Sequence, residues 1–195
     1  MAQPQAKSLQ RGRCKMELSN PLISEYTWAN KPSVAPLGQI ICVTDIGENG
    51  ILCRGNGTKW VRMHPTTINS LGSSVVLTGT TAETTLLTIP IKGGLMGLGG
   101  RLSVLSFYAF TNNANSKTVR AKVGATVVAS MISTNQSISG FNFWMLNLNS
   151  ETSQRTITAA AISVDTSVDF TLTLTGQLAN SADSLTVFAQ TLEVI

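Results

Sequence analysis

GQIICVTDIGENGILCRGNGTKW, residues 38–60, decides how the rest of this chain is read. Gln39 to Thr44 (QIICVT) is β-branched and apolar, the signature of a strand. Asp45 to Gly50 is turn chemistry, and Asn49-Gly50 is a strong hairpin dipeptide because both residues tolerate positive φ. Ile51 to Arg54 returns as a second strand. Gly55-Asn56-Gly57 turns again, and Lys59 to Arg62 makes a third. The stretch therefore predicts a three-stranded β-meander over residues 37–64. Such a unit buries too little apolar surface to stand alone, so it must pack on the rest of the chain or on copies of itself. Cys42 and Cys53 lie on the two flanks of the first hairpin. They are read either as a cross-strand disulfide or, by preference, as small buried hydrophobes. With Cys14 the cysteines number three, which is no disulfide framework.

Downstream, residues 65–74 (PTTINSLGSS) read as a polar linker, and residues 75–195 carry almost pure β signal. Candidate strands are 74–77, 84–91, 100–111, 117–123, 126–132, 140–149, 155–164, 168–176 and 185–195, separated by Gly- and Asn-rich turns. Their even spacing predicts a β-sandwich of jelly-roll type. Alternation is plain in Asp169 to Thr175, where Phe170, Leu172 and Leu174 face inward and the threonines outward. On the last strand Leu185, Val187, Ala189, Thr191 and Glu193 share one face, and Thr186, Phe188, Gln190, Leu192 and Val194 the other. Both faces carry apolar residues, as in a strand at a subunit contact.

Upstream, residues 1–36 have no steady period, and Pro4, Pro21, Pro32 and Pro36 interrupt any helix or central strand. Leu18, Leu22, Ile23, Tyr26 and Trp28 are apolar and aromatic anchors. The segment is read as an extended arm lying on a partner surface, the alternative being a strand folded back on its own domain. Five basic residues stand against two acidic ones in residues 1–32, whereas residues 101–195 hold five of each. The formal charge of +4 is thus mainly a property of the arm, which suits docking on an acidic surface. No apolar h-region of a leader and no membrane-spanning run is visible. Charged residues make up only 12% of the chain, about half the usual share, while 43% is hydrophobic. So few charges point to a Ser/Thr/Asn-rich surface or to burial between subunits, as in a structural protein.

Catalytic constellations are not found. His64 is the single histidine, which excludes a zinc site of several His ligands. No G-x-S-x-G accompanies it, so a serine hydrolase lacks its parts. Asp165, Asp169 and Asp183 could supply the two carboxylates of a glycosidase, but isolated turn carboxylates usually cap and solvate. Gly93 to Gly100 (GGLMGLGG) lacks the Gly-Lys-Ser/Thr of a phosphate-binding loop and reads instead as a tight apolar loop packed at an interface by Leu95, Met96 and Leu98. Lys117, Arg120 and Lys122 on one strand would suit nucleic acid only with more aromatic neighbours, and read better as a solvated face or inter-subunit pair. Cofactors and metals are not expected.

The motifs of residues 38–60, strand, D-x-G-x-x-G, strand and N-G-T-x-W, resemble the small β-meander of many tailed-bacteriophage fibre and appendage proteins. Thr78–Leu86, Gly93–Leu102, Thr111–Thr118 and Gly176–Asn180 are similar to a β-sandwich module of phage structural proteins. The resemblance spans roughly residues 38–195. It implies a homotrimeric virion protein without enzymatic activity: a capsid decoration protein or head fibre. The arm, which lies outside the resemblance, is expected to hold it on the major capsid protein or another virion protein. A tail-fibre appendage recognising host surface glycan is the alternative. Within such a trimer, Ile41, Val43, Ile51 and Trp60 are expected to join a shared axial core, which three copies would stabilise where one cannot.

Overall fold

The computed structural model describes residues 23–195 apart from 48, 49 and 159. Among these the chain is all β, and it divides into two compact units, the described residues up to 63 and residues 64–195.

The N-terminal unit is built on the expected meander. Strands β2 (Ile40–Val43), β3 (Ile51–Gly55) and β4 (Trp60–Arg62) pair antiparallel. A fourth strand, β1 (Ser24–Tyr26), adds in parallel to β2. The described part of the predicted arm is therefore a strand folded back on its own unit. Trp28 N–H donates to Asp45 Oδ1 (2.6 Å), Trp60 Nε1–H donates to Pro32 O (2.7 Å), and Lys31 Nζ stands 3.9 Å from the centre of the Trp28 ring. Gly55 explains how closely this segment lies: a Cβ there would come within 2.1 Å of Pro36 O. Cys42 and Cys53 are not bonded to each other. The register opposes Cys42 to Leu52 and Ile41 to Cys53, so the two thiols leave opposite faces of the sheet. Burial makes them small hydrophobes and pushes the Cys53 thiol up to about 11.

The C-terminal unit is a sandwich. Sheet I has the order β10 (Thr126–Ser133), β9 (Lys117–Val123), β14 (Phe170–Leu178), β7 (Thr84–Ile91). Sheet II runs β11 (Ile138–Asn147), β8 (Arg101–Phe110), β15 (Ser184–Val194), and beyond β15 come β6 (Val75–Thr78) and β5 (Thr66–Ser70), each on its own half of that strand. The hairpin β12 (Gln154–Thr156) and β13 (Ala161–Ile162) extends sheet II beyond β11. The orders 6-15-8-11 and 7-14-9-10 are those of an eight-stranded jelly roll. Leu102, Val104 and Tyr108 of sheet II and Val119, Ala121, Leu172 and Leu174 of sheet I fill the space between. Gly176 marks how near the layers come, since a Cβ on it would meet Leu77 of β6 at 3.0 Å and Leu185 of β15 at 3.5 Å.

Two readings change here. Residues 66–70 of the supposed linker are a strand; their polar composition reflects an edge position beside β15. The last strand does not keep one phase. A bulge between Val187 and Ala189 shifts it, so Leu185, Val187, Gln190, Leu192 and Val194 all face the core, and Phe188 and Ala189 both face outward.

Candidate assembly surface

The two outer faces of the sandwich differ in chemistry. On sheet I, β14 shows Thr171, Thr173, Thr175 and Gln177, and β9 shows Thr118, Arg120 and Lys122. Lys122 and Arg120 pair with Glu83 at 2.7 and 3.4 Å, and Thr175 donates to the same carboxylate. The hydrogen bond from Lys122, then that from Thr175, holds the Glu83 carboxyl below the ordinary carboxylate range. The apolar residues Val127 and Ile132 sit on the edge strand β10.

Sheet II presents the opposite. Pairing places Phe107 between Gly140 and Ala189, Ala109 between Ile138 and Thr186, Leu105 between Asn142 and Thr191, and Ser103 between Trp144 and Glu193. The bulge in β15 brings Phe188 onto this face, with its ring centre 6.3 Å from that of Phe107. Gly140 leaves room for the Phe107 ring, whose Cε1 would stand 3.2 Å from a Cβ at that position. Ile138 and Val76 are 63% and 59% exposed, and Leu105, Phe107 and Phe188 are exposed as well. From Ser103 to Ala109, from Ile138 to Leu146 and from Thr186 to Thr191, no outward residue is charged; Arg101, Arg155 and Glu193 stand only at one end. An aromatic, uncharged centre has the composition of an interface core and is costly to leave in water.

The residues predicted from sequence to join copies of the chain fall elsewhere. Ile41, Val43, Ile51 and Trp60 are buried within the N-terminal unit, and Leu95 and Met96 within the sandwich, so their apolar surface is already spent inside one protomer. Leu98 alone of the set is exposed, at 42%. Asn147 Nδ2 donates to Gly97 O (2.6 Å) and Gly94 N–H to Thr166 O (2.8 Å), which fastens the glycine-rich loop to its own domain. Of the arm anchors, Ile23, Tyr26 and Trp28 are half-buried in the N-terminal unit, while Leu18 and Leu22 lie outside the described residues. The one sign of the sheet II surface in the sequence was the last strand, apolar on both sides.

The turn carboxylates form no pair. Asp165 accepts from Ser167, and Asp169 accepts from Lys92 and from Gly93 N–H. Asp183 lies beyond the far end of β14. Lys117 does not share a face with Arg120 and Lys122 but points inward, 1% exposed, 3.5 Å from Asp183 Oδ2. Around that ion pair, Lys117 Nζ donates to Asn113 Oδ1 and to Asn115 O (2.9 Å). Asn113 Nδ2 donates to Asp183 Oδ1 (2.6 Å) and Asn115 Nδ2 to Oδ2 (3.1 Å). The hydrogen bond from Asn113 leads in holding the Asp183 carboxyl below its ordinary value. Among the described residues no group of three His, Cys, Asp or Glu is placed to hold a metal. No helix there is long and apolar enough to cross a membrane.

No protein-family model matches the chain, and no curated protein matches it. Solved structures similar to it include dimeric latent PorU from Porphyromonas gingivalis, at 7% identity and TM-score 0.35 over 63% of this chain and 12% of that one. The VP2 subviral particle of infectious bursal disease virus is similar at 10% identity and TM-score 0.36, over 73% of this chain and 38% of that one. The Gt strain of the same virus gives 13% identity and TM-score 0.35, over 84% and 41%. The chain spans less than half the length of each of these.

Proposed function

We propose that this chain is a non-enzymatic structural protein of a bacteriophage virion, a capsid decoration protein or head fibre that works as a homotrimer. The observation that carries the oligomer is the contrast between the sandwich's two outer faces. Sheet I is finished with threonines and paired charges, as a wet surface is. Sheet II ends in Phe107, Phe188, Leu105 and Ile138 with no charge among them. Copies packed through sheet II would remove that face from water, and the arm is the segment that would engage the shell. The phage assignment rests on the resemblance of residues 38–60 and of the sandwich loops to phage appendage modules.

Light scattering on the full chain should give three times 20.7 kDa. Phe107→Glu and Phe188→Glu place a charge at the centre of an outer face without touching the core, and each should yield a folded monomer. A wild-type monomer, or a trimer indifferent to both substitutions, would sink this reading. Attachment is then tested by cosedimentation of the trimer with particles lacking it.

A further inference from the structure

We propose that Lys117 and Asn113 become joined within the chain by an isopeptide bond, with Asp183 carrying the protons. The cluster holds every group such a reaction needs. Lys117 is the nucleophile, and both it and Asp183 are at least nine-tenths buried, with side chains 1% and 4% exposed. The acyl group is the Asn113 side-chain amide, on whose Oδ1 the Lys117 ammonium rests. Its position is fixed from several sides. Asn113 O accepts from Asn135 N–H (2.7 Å), and Asn113 Nδ2 donates to Asp183 Oδ1 (2.6 Å). Asn115 N–H donates to Asn113 Oδ1 (3.1 Å), which places a backbone donor on the oxygen where negative charge develops when the carbonyl is attacked. Leu178 of β14 and Ser133 of β10 flank Lys117 in the register, and both are buried.

The chemistry closes without a co-reactant. Asp183 Oδ2 stands 3.5 Å from Lys117 Nζ, where a carboxylate serves as general base for the ammonium as the amine attacks. Asp183 Oδ2 takes one proton from Lys117, and the freed Nζ lone pair attacks Asn113 Cγ. The carboxyl turns to hand this proton to Nδ2, which its Oδ1 already faces; the Cγ–Nδ2 bond breaks as the Nζ–Cγ bond remains, and Asp183 passes the second proton shed by Nζ to the departing ammonia in the same way. Of the three protons on the ammonium, one stays on the new amide and two depart with Nδ2, which leaves as ammonium. The carboxylate is regenerated, and the event occurs once per chain. It concerns one protomer's interior and is independent of how copies assemble.

Intact-mass measurement of the full wild-type chain should find it lighter by one ammonia than its sequence. Trypsin should then fail to cut after Lys117, giving residues 102–120 as one peptide that carries the mass loss. Asp183→Asn should restore both the sequence mass and cleavage at Lys117 in a chain that still folds. A wild-type chain of full mass overturns the proposal, leaving Lys117 and Asp183 as an ion pair only. Ammonia loss with Lys117 still cleaved also overturns it, since that marks an asparagine succinimide. If the linkage survives Asp183→Asn, the proton-carrying role of Asp183 is overturned.

Discussion

Glu83 shows how a single side chain couples the outer face of sheet I to pH. Its carboxyl accepts from Lys122 and Thr175 and lies beside Arg120, and its pKa is held below the ordinary range. A carboxyl depressed in the folded state contributes stability above its unfolded pKa, about 4.3, and that contribution is lost as pH falls through the folded value. Glu83→Gln should therefore lower stability at neutral pH and flatten its decline from about pH 5 downward, as read by urea melts at several pH values. Tyr108 gives a second residue-scale expectation. It is fully buried, its hydroxyl accepts from Ser106 (3.1 Å), and burial pushes its pKa up to about 12. Tyr108→Phe removes that hydrogen bond with little change in packing and should cost about 1 kcal/mol in a denaturant melt. Alternation made the facing of Leu172 and Leu174 readable from sequence, and the structure buries both. It misplaced Ala189 and Gln190, because one extra residue in a bulge inverts every later side chain. A local pattern carries no mark of such an insertion.

At the scale of elements, the strong strands were legible because β-branched runs and Asn/Gly turns bound them. Strand β7 spans Thr84–Ile91 and β9 Lys117–Val123, as their patterns predict. The weak ones were hidden. Ser24–Tyr26 is polar and pairs in parallel with a strand many residues away, and Thr66–Ser70 is an edge strand whose polarity mimics a linker. Candidate strand 155–164 is in fact two short strands, β12 and β13. The meander itself was readable, but what covers it was not, because its cover is an irregular stretch tied down at scattered points. Gly55 is the point to test. A Cβ there collides with the backbone of Ala35 and Pro36, so Gly55→Ala should destabilise the N-terminal unit by roughly 1–3 kcal/mol or more. Proteolysis should then release residues before 64 while leaving the sandwich resistant. A protected N-terminal unit in that variant would mean the covering segment is held in some other way.

For the whole molecule, the jelly roll was legible in outline and the chemistry of its two outer faces only in part, since an outer face exists only once strands are paired. Phe107, Ile138 and Phe188 are far apart in sequence and become one surface through the registers of β8 with β11 and β15. Strand β15 has a consequence in time as well as in space. It follows every other strand of the sandwich in sequence, yet it lies inside sheet II, between β8 and the edge strands β5 and β6. Thr66 finds its partner at Val194, more than a hundred residues on. Such non-local pairing places folding in the range of milliseconds to seconds or slower. Until β15 arrives, a growing chain carries two open strand edges with nothing to fill the gap, and these are templates for pairing with other chains. Stopping synthesis before Thr191 should therefore send the protein into aggregates. Removing β12 and β13 from the rim, by joining residue 149 to residue 165 through a short loop, should leave a larger soluble fraction. For this fold, the arrival of β15 decides between a closed sandwich and an aggregate.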